Sequence, residues 1–136
     1  MNTFAVIEKL EEFAFELVNY YSVRFLGNDV NEFYDFLNRM EDEPSVSDDL
    51  NNLFIWLEKI GAEEGAKKDF FRNEAIRSDA SALPPPRKQM EIYELMVENL
   101  RLYCLRANEH VVFLFNGGIK SQEIIEARLS KCGTIS

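Results

Sequence analysis

The chain has 136 residues, 46% of them apolar and 12% aromatic, which suits one domain with a sizeable core and excludes wholesale disorder. No run approaches the ~18 apolar residues of a membrane span, and the start MNTFAVIEKLEEF lacks the basic end and apolar stretch of an export signal. Cys104 and Cys132 allow one bridge at most, so a soluble protein of the reducing cytoplasm, without membrane partners, is expected. The net charge of −9 argues against nucleic acid at first sight. The acid is not evenly spread, however. Residues 1–64 hold 4 Lys+Arg against 15 Asp+Glu, whereas residues 65–136 hold 11 against 9. Whole-chain charge therefore says little about a site in the second half.

In chain order, TFAVIEKLEEF fits an early strand or a helix, and periodicity does not choose between them. FAFELVNYYSVRF, residues 13–25, alternates as a half-buried strand does, with Phe13, Phe15 and Leu17 on one parity. After Gly27, a helix capped by Asn28 or Asp29 is predicted, with Val30, Phe33, Tyr34, Phe36, Leu37 and Met40 as its apolar stripe. EDEPSVSDD ends it. A second helix begins at Ser47 as cap, carries Leu50, Leu53, Phe54, Leu57 and Ile60 on one face, and stops before Gly61. The acids on the outer faces of both helices are solvated surface.

Residues 62–91 have weak periodicity, six basic side chains and the triple proline Pro84-Pro85-Pro86, and are expected to form a stiff extended connector. IYELMV, NLRLYCLR and HVVFLFN follow, separated by short polar gaps, which predicts a three-strand antiparallel meander over residues 92–118. Asn116-Gly117-Gly118 closes its third strand, and a short helix is expected over residues 121–132. The fold class is α+β: two N-terminal helices packed on a small antiparallel sheet, a C-terminal meander and a short terminal helix, all in one domain.

That order resembles the bacterial toxins of the RelE/ParE/HigB type. The resemblance is carried by Tyr93-Glu94-Leu95, by Leu100-Arg101-Leu102-Tyr103 and by Val111 to Lys120 (VVFLFNGGIK), which are similar to the family's "ELR", "yRify" and "ivlLhgFxKK" stretches. LFIWLEKIG, residues 53–61, looks like the end of the family's second helix. The resemblance implies the toxin-like half of a toxin–antitoxin pair, with an antitoxin as partner. In the RelE kind it implies metal-independent cleavage of mRNA on the ribosome, with the RNA's own 2′-hydroxyl as nucleophile and no cofactor. Arg101 matches the family's phosphate-contacting arginine, and Lys120 the first lysine of its terminal pair.

The departures are equally specific. Met96 stands where "ELR" has arginine, Ser121 replaces the second lysine, and no tyrosine follows Lys120. These favour an alternative: a non-enzymatic protein-binding module, or a catalytically degenerate relative of the same fold.

The candidate catalytic residues are accordingly Arg101 and Lys120, with Lys67, Lys68, Arg72, Arg87, Lys88 and Arg106 as candidate RNA-binding residues. A guanidinium holds two phosphate oxygens at once and gains strength as charge builds in the transition state. The plainer reading of Arg101 is a solvent-facing strand arginine paired with Glu94 or Glu98, and that of Lys120 is a surface lysine at a strand end. Tyr103, Phe113 and Phe115 suit base stacking, but their plainer reading is the one buried face that three such strands need. His110, the single histidine, begins a strand beside a turn and suits a structural role. With the two cysteines 28 positions apart, no metal-ligand spacing exists, and no metal is expected.

Overall fold

The computed structural model describes residues 4–73 and 81–120. Its elements are β1 (Ala5–Ala14), β2 (Asn19–Phe25), α1 (Glu32–Glu41), α2 (Ser47–Lys59), β3 (Arg72–Asn73), β4 (Ser81–Leu83), α3 (Arg87–Tyr93), β5 (Leu100–Asn108) and β6 (Val111–Ile119). The strands form a six-stranded mixed sheet in the order β1-β2-β6-β5-β4-β3, in which β2 and β6 run parallel and every other pair is antiparallel. The α+β class expected from the sequence is what is observed. The sheet itself is mixed and not antiparallel as expected, because β2 lies parallel to β6, and the detailed arrangement differs in four further places.

The first difference lies at the N-terminus. The stretch 13–25 is not one strand, because β1 and β2 form a hairpin whose turn occupies Phe15 to Val18. No Gly or Pro marks that turn. Tertiary contacts make it instead: the Leu17 N–H donates to the Gly61 carbonyl at 2.8 Å, and the Phe15 ring lies against Gly61 where a Cβ would sit. Gly61 is thus a point of close approach, and not the residue just past α2. That helix runs on through a π-helical turn, Ile60–Glu64, and ends at Gly65, whose φ of 82° suits glycine.

The second difference concerns the caps. The α1 cap is Asn31, whose side-chain oxygen accepts from the Tyr34 N–H at 2.9 Å, and not Asn28 or Asp29. Asn31 also donates to Glu8 at 3.0 Å, and Glu8 accepts from the Arg24 Nε at 2.9 Å. Both contacts hold the Glu8 carboxyl below the ordinary glutamate range, the Arg24 hydrogen bond most strongly. The buried Ser22 hydroxyl accepts from the Phe33 N–H at 3.1 Å, so the start of α1 is fixed to β2. Ser47 is likewise not a cap. A 3₁₀ turn, Pro44–Val46, leads into α2 and Ser47 is its first residue.

The third difference is in the connector. Residues 62–91 contain β3, β4 and most of α3, and Pro84 and Pro85 are buried. The fourth is the loss of one meander strand. Residues 92–97 are the end of α3, then Glu94 in the left-handed region at φ 52°, then a segment strapped to α2. Three α2 side chains hold the strap. The Trp56 indole N–H donates to Leu95 O at 2.9 Å and Asn52 to Met96 O at 2.8 Å, while the Asp49 carboxylate accepts from the Glu98 and Asn99 N–H groups at 3.1 and 2.7 Å. The helix expected over residues 121–132 lies outside the described residues.

One face of the sheet carries the core. Leu10, Tyr20, Leu100, Leu102, Val112 and Leu114 are buried there in a single cluster with Phe33, Phe36, Leu53, Trp56, Leu57 and Met90 of the three helices. The Tyr20 hydroxyl donates to Leu57 O at 2.8 Å, and burial raises its pKa. Most of the apolar stripes expected for α1 and α2 supply the helical side of this cluster, joined by Trp56, whereas Val30 lies before α1 and is exposed.

Candidate functional site

Strand alternation sends neighbouring residues to opposite faces of a sheet. On β5, Leu100, Leu102 and Cys104 join the core cluster, so Arg101 and Tyr103 stand on the second face. Arg101 is only 9% exposed there, which sets aside the solvent-facing strand arginine as its plain reading. Its backbone is opposite Gly118 of β6. Tyr103 is opposite Ala82 of β4, and Ala82 is opposite Arg72 of β3, so Arg72, Ala82 and Tyr103 form one row across three strands. The Arg72 Nε donates to Pro84 O at 2.9 Å. Leu83 is opposite Leu102, so that carbonyl sits level with Arg101. Both arginines are engaged in further contacts within the chain.

Lys120 directly follows β6, and its N–H donates to the Asn99 carbonyl. It lies two residues beyond Gly118, about 7 Å along the chain from the backbone opposite Arg101. Arg101 and Lys120 therefore share one end of the sheet, while Arg72 lies two strands from Arg101 and three from Lys120. At the other end, Tyr21 of β2 packs on Phe113 of β6, with ring centroids 5.5 Å apart and planes 30° apart, and Leu105 of β5 is opposite Phe113. The second face is thus cationic at one end and aromatic at the other.

The remaining candidate residues are dispersed. Arg106 is opposite the fully buried Val112, hence on the core side of the sheet, where its Nε donates to the Ala66 carbonyl and holds the loop after α2. Arg87 forms an ion pair with Glu98 at 3.2 Å, with both side chains about half exposed and worth about 0–1 kcal/mol. Lys67 is exposed, 3.8 Å from the Glu64 carboxylate. Lys68 and Lys88 line an open cavity of about 370 Å³ with Asp69, Phe71, Pro86 and Gln89. That cavity adjoins the Arg72 strand along the chain. His110 is a bridge between turns: its Nδ1 lies 2.9 Å from Leu17 O, and its carbonyl accepts from the Asn19 N–H at 2.8 Å.

Two features of the site are invisible in the linear sequence. One is the relation of Arg72 to Arg101, which only the β3–β4–β5 register sets. The other is the role of Asn116. The β5–β6 register shifts by one between Leu102 and Cys104, so β6 bulges at Phe115 and Asn116 opposite Tyr103. The Asn116 amide nitrogen donates to Asp35 at 2.8 Å and to Glu32 at 3.3 Å, while Arg39 donates to the Asn116 side-chain oxygen and to Gly117 O. The Asn116 hydrogen bond most strongly, and one donated by the Arg39 Nε at 3.1 Å, hold the Asp35 carboxyl below the ordinary aspartate range. Asn116 therefore clamps α1 to the bulge, and β6 continues to Ile119 without closing at the glycines.

Among the described residues, no three His, Cys, Asp or Glu side chains are grouped as a metal centre would require, and no helix is long and apolar enough to cross a membrane. Comparison with protein-family models, with curated proteins and with solved structures gives no match for this chain.

Proposed function

We propose that the cationic end of the second sheet face contacts RNA phosphates, and that the protein is the toxin-like component of a bacterial toxin–antitoxin pair that cleaves mRNA on the ribosome. The observation that carries this reading is the placement of Arg101 and Lys120 at one end of the second sheet face, with Arg72 two strands from Arg101, in a chain of net charge −9. The helix acids Glu32, Asp35, Asp48, Asp49 and Glu58 belong to the layer on the opposite face. The acidic half is then no obstacle to RNA approaching from the other side.

In the proposed reaction the RNA 2′-oxygen bonds to the adjacent phosphorus, the bond from phosphorus to the 5′-oxygen breaks, and a 2′,3′-cyclic phosphate and a 5′-hydroxyl result. The 2′-hydroxyl loses its proton to a base and the departing 5′-oxygen gains one from an acid. Arg101, backed by Gly118 and largely out of solvent, holds the phosphate oxygens as their charge grows, and Lys120 adds a second cation from the β6 end. Lys67, Lys68 and Lys88 are the further phosphate contacts that this reading assigns. The partners in this reading are an antitoxin, the ribosome and mRNA. The protein works in the cytoplasm.

Induction of the chain alone in a bacterial culture tests the reading. Growth arrest that Arg101→Ala and Lys120→Ala each relieve, at equal protein level, is the expected result. Normal growth with abundant soluble native protein overturns it.

A further inference from the structure

The end of α1 and the start of α2 frame an open groove of about 430 Å³. Its floor is apolar, made by Met40, Leu50 and Phe54, and its rim carries Glu41 and Glu43. Ile55, 47% exposed, stands one helical turn beyond the lining residue Asn51, so the apolar surface continues along α2. The groove runs between helices, whose backbone groups are bonded within each helix, and so offers no strand edge to extend. An occupant must satisfy its own backbone, as a helix does.

The charge here runs against what α1 itself prefers. A helix C-terminus carries partial negative charge and favours cations. α1 ends instead in Glu41, with Asp42 as its C-cap and Glu43 next. None of these three carboxylates enters an ion pair among the described residues. No Lys or Arg occurs between Arg39 and Lys59, and those two are held by Asp35 and Glu63. The rim therefore wants a cation from outside. A second copy docked two-fold on this groove brings residues 40–58 again, six acids and no base, so no register sets a cation against Glu41 or Glu43. We propose that the groove receives a basic amphipathic helix of another protein, its apolar side chains over Met40, Phe54 and Ile55 and its Lys or Arg side chains at Glu41 and Glu43. The proposal stands on α1 and α2 and does not depend on what Arg101 does.

The test uses the full chain and three fluorescein-labelled helical peptides, with binding followed by anisotropy. One has a leucine face and a lysine face, one has glutamate in place of lysine, and one keeps the lysines but has glutamine in place of leucine. The leucine–lysine peptide is expected to bind about tenfold or more tighter than either control, and more weakly as salt rises. Ile55→Asn, which leaves the charge unchanged at an exposed position, is expected to lower its affinity about fivefold. Glu41→Gln with Glu43→Gln is expected to lower it about fivefold at low salt, whereas Glu11→Gln with Glu16→Gln, which removes the same charge from exposed positions elsewhere, leaves it unchanged. Because Glu41 and Glu43 oppose the α1 dipole, their double variant is also expected to unfold at a higher urea concentration than the native chain. Equal binding of the two lysine peptides, an equal loss from the two glutamine pairs, or a lowered urea midpoint for Glu41→Gln with Glu43→Gln overturns the proposal. So does sedimentation showing a native dimer that Ile55→Asn converts to monomer, since a second copy then occupies the groove.

Discussion

Gly117→Ala is expected to cost about 3 kcal/mol of folding stability, the upper end of what overpacking does. Gly117 is opposite Leu102 in the antiparallel β5–β6 pair, beside the one-residue bulge. A Cβ there would fall 2.9 Å from Leu102 Cα and 3.0 Å from the Arg101 carbonyl carbon, and closer still to the Arg101 carbonyl oxygen. These are backbone atoms, so no side chain can swing aside to relieve the clash. Relief requires β5 and β6 to part at Arg101, and it displaces Gly117 O from the Arg39 guanidinium that donates to it at 2.8 Å. Urea unfolding measures the loss, with Gly27→Ala as the comparison. Gly27 has φ 95° but open space around it, so its substitution carries the conformational term alone, about 1 kcal/mol.

Trp56→Ala is expected to cost about 4 kcal/mol. The indole is fully buried, its ring centroid lies 5.5 Å from that of Tyr93 and 5.9 Å from that of Phe70, and its N–H is the donor to Leu95 O. Truncation empties a large volume and leaves that carbonyl without its indole partner in the strap before β5. Trp56→Phe keeps most of the packing and loses the hydrogen bond, so about 1–2 kcal/mol is expected. Urea unfolding of the three proteins separates the two contributions. A loss as large for phenylalanine as for alanine would assign the whole effect to the strap.

What could be seen in the sequence follows from the range of the interactions involved. α1 and α2 were legible because each buries a stripe several turns long, and β5 and β6 because their apolar runs end at polar gaps. The β1–β2 turn was not, since Gly61, more than 40 positions away, makes it with ordinary residues. The α1 cap moved to Asn31 because contacts with β1 and β2 choose among several eligible Asn and Asp side chains. IYELMV has too short an apolar run to separate strand from helix, and what decides it is the ladder of Asp49, Asn52 and Trp56 on α2. β3 and β4, of two and three residues, are too short to carry a period.

The site divides in the same way. The alternation around Leu100-Arg101-Leu102 announces that Arg101 and the leucines face apart, and the structure adds which side is which. The parallel pairing of β2 with β6, which joins Tyr21 to Phe113, spans some 90 positions and leaves no local trace. Arg106 shows the reverse case. As a basic residue on the same strand as Arg101 it suits phosphate binding, but the register turns it to the core side and gives it the Ala66 carbonyl.

The most direct test of the central claim is to incubate the purified chain with ribosomes translating a defined mRNA and to map cuts by primer extension, beside Arg101→Ala. The account predicts discrete cuts within translated codons, and a rate about 10²–10³-fold lower for Arg101→Ala, the loss typical of removing one donor to a transition-state oxyanion. Intact mRNA with the native protein, or cuts at an equal rate with both, would contradict it.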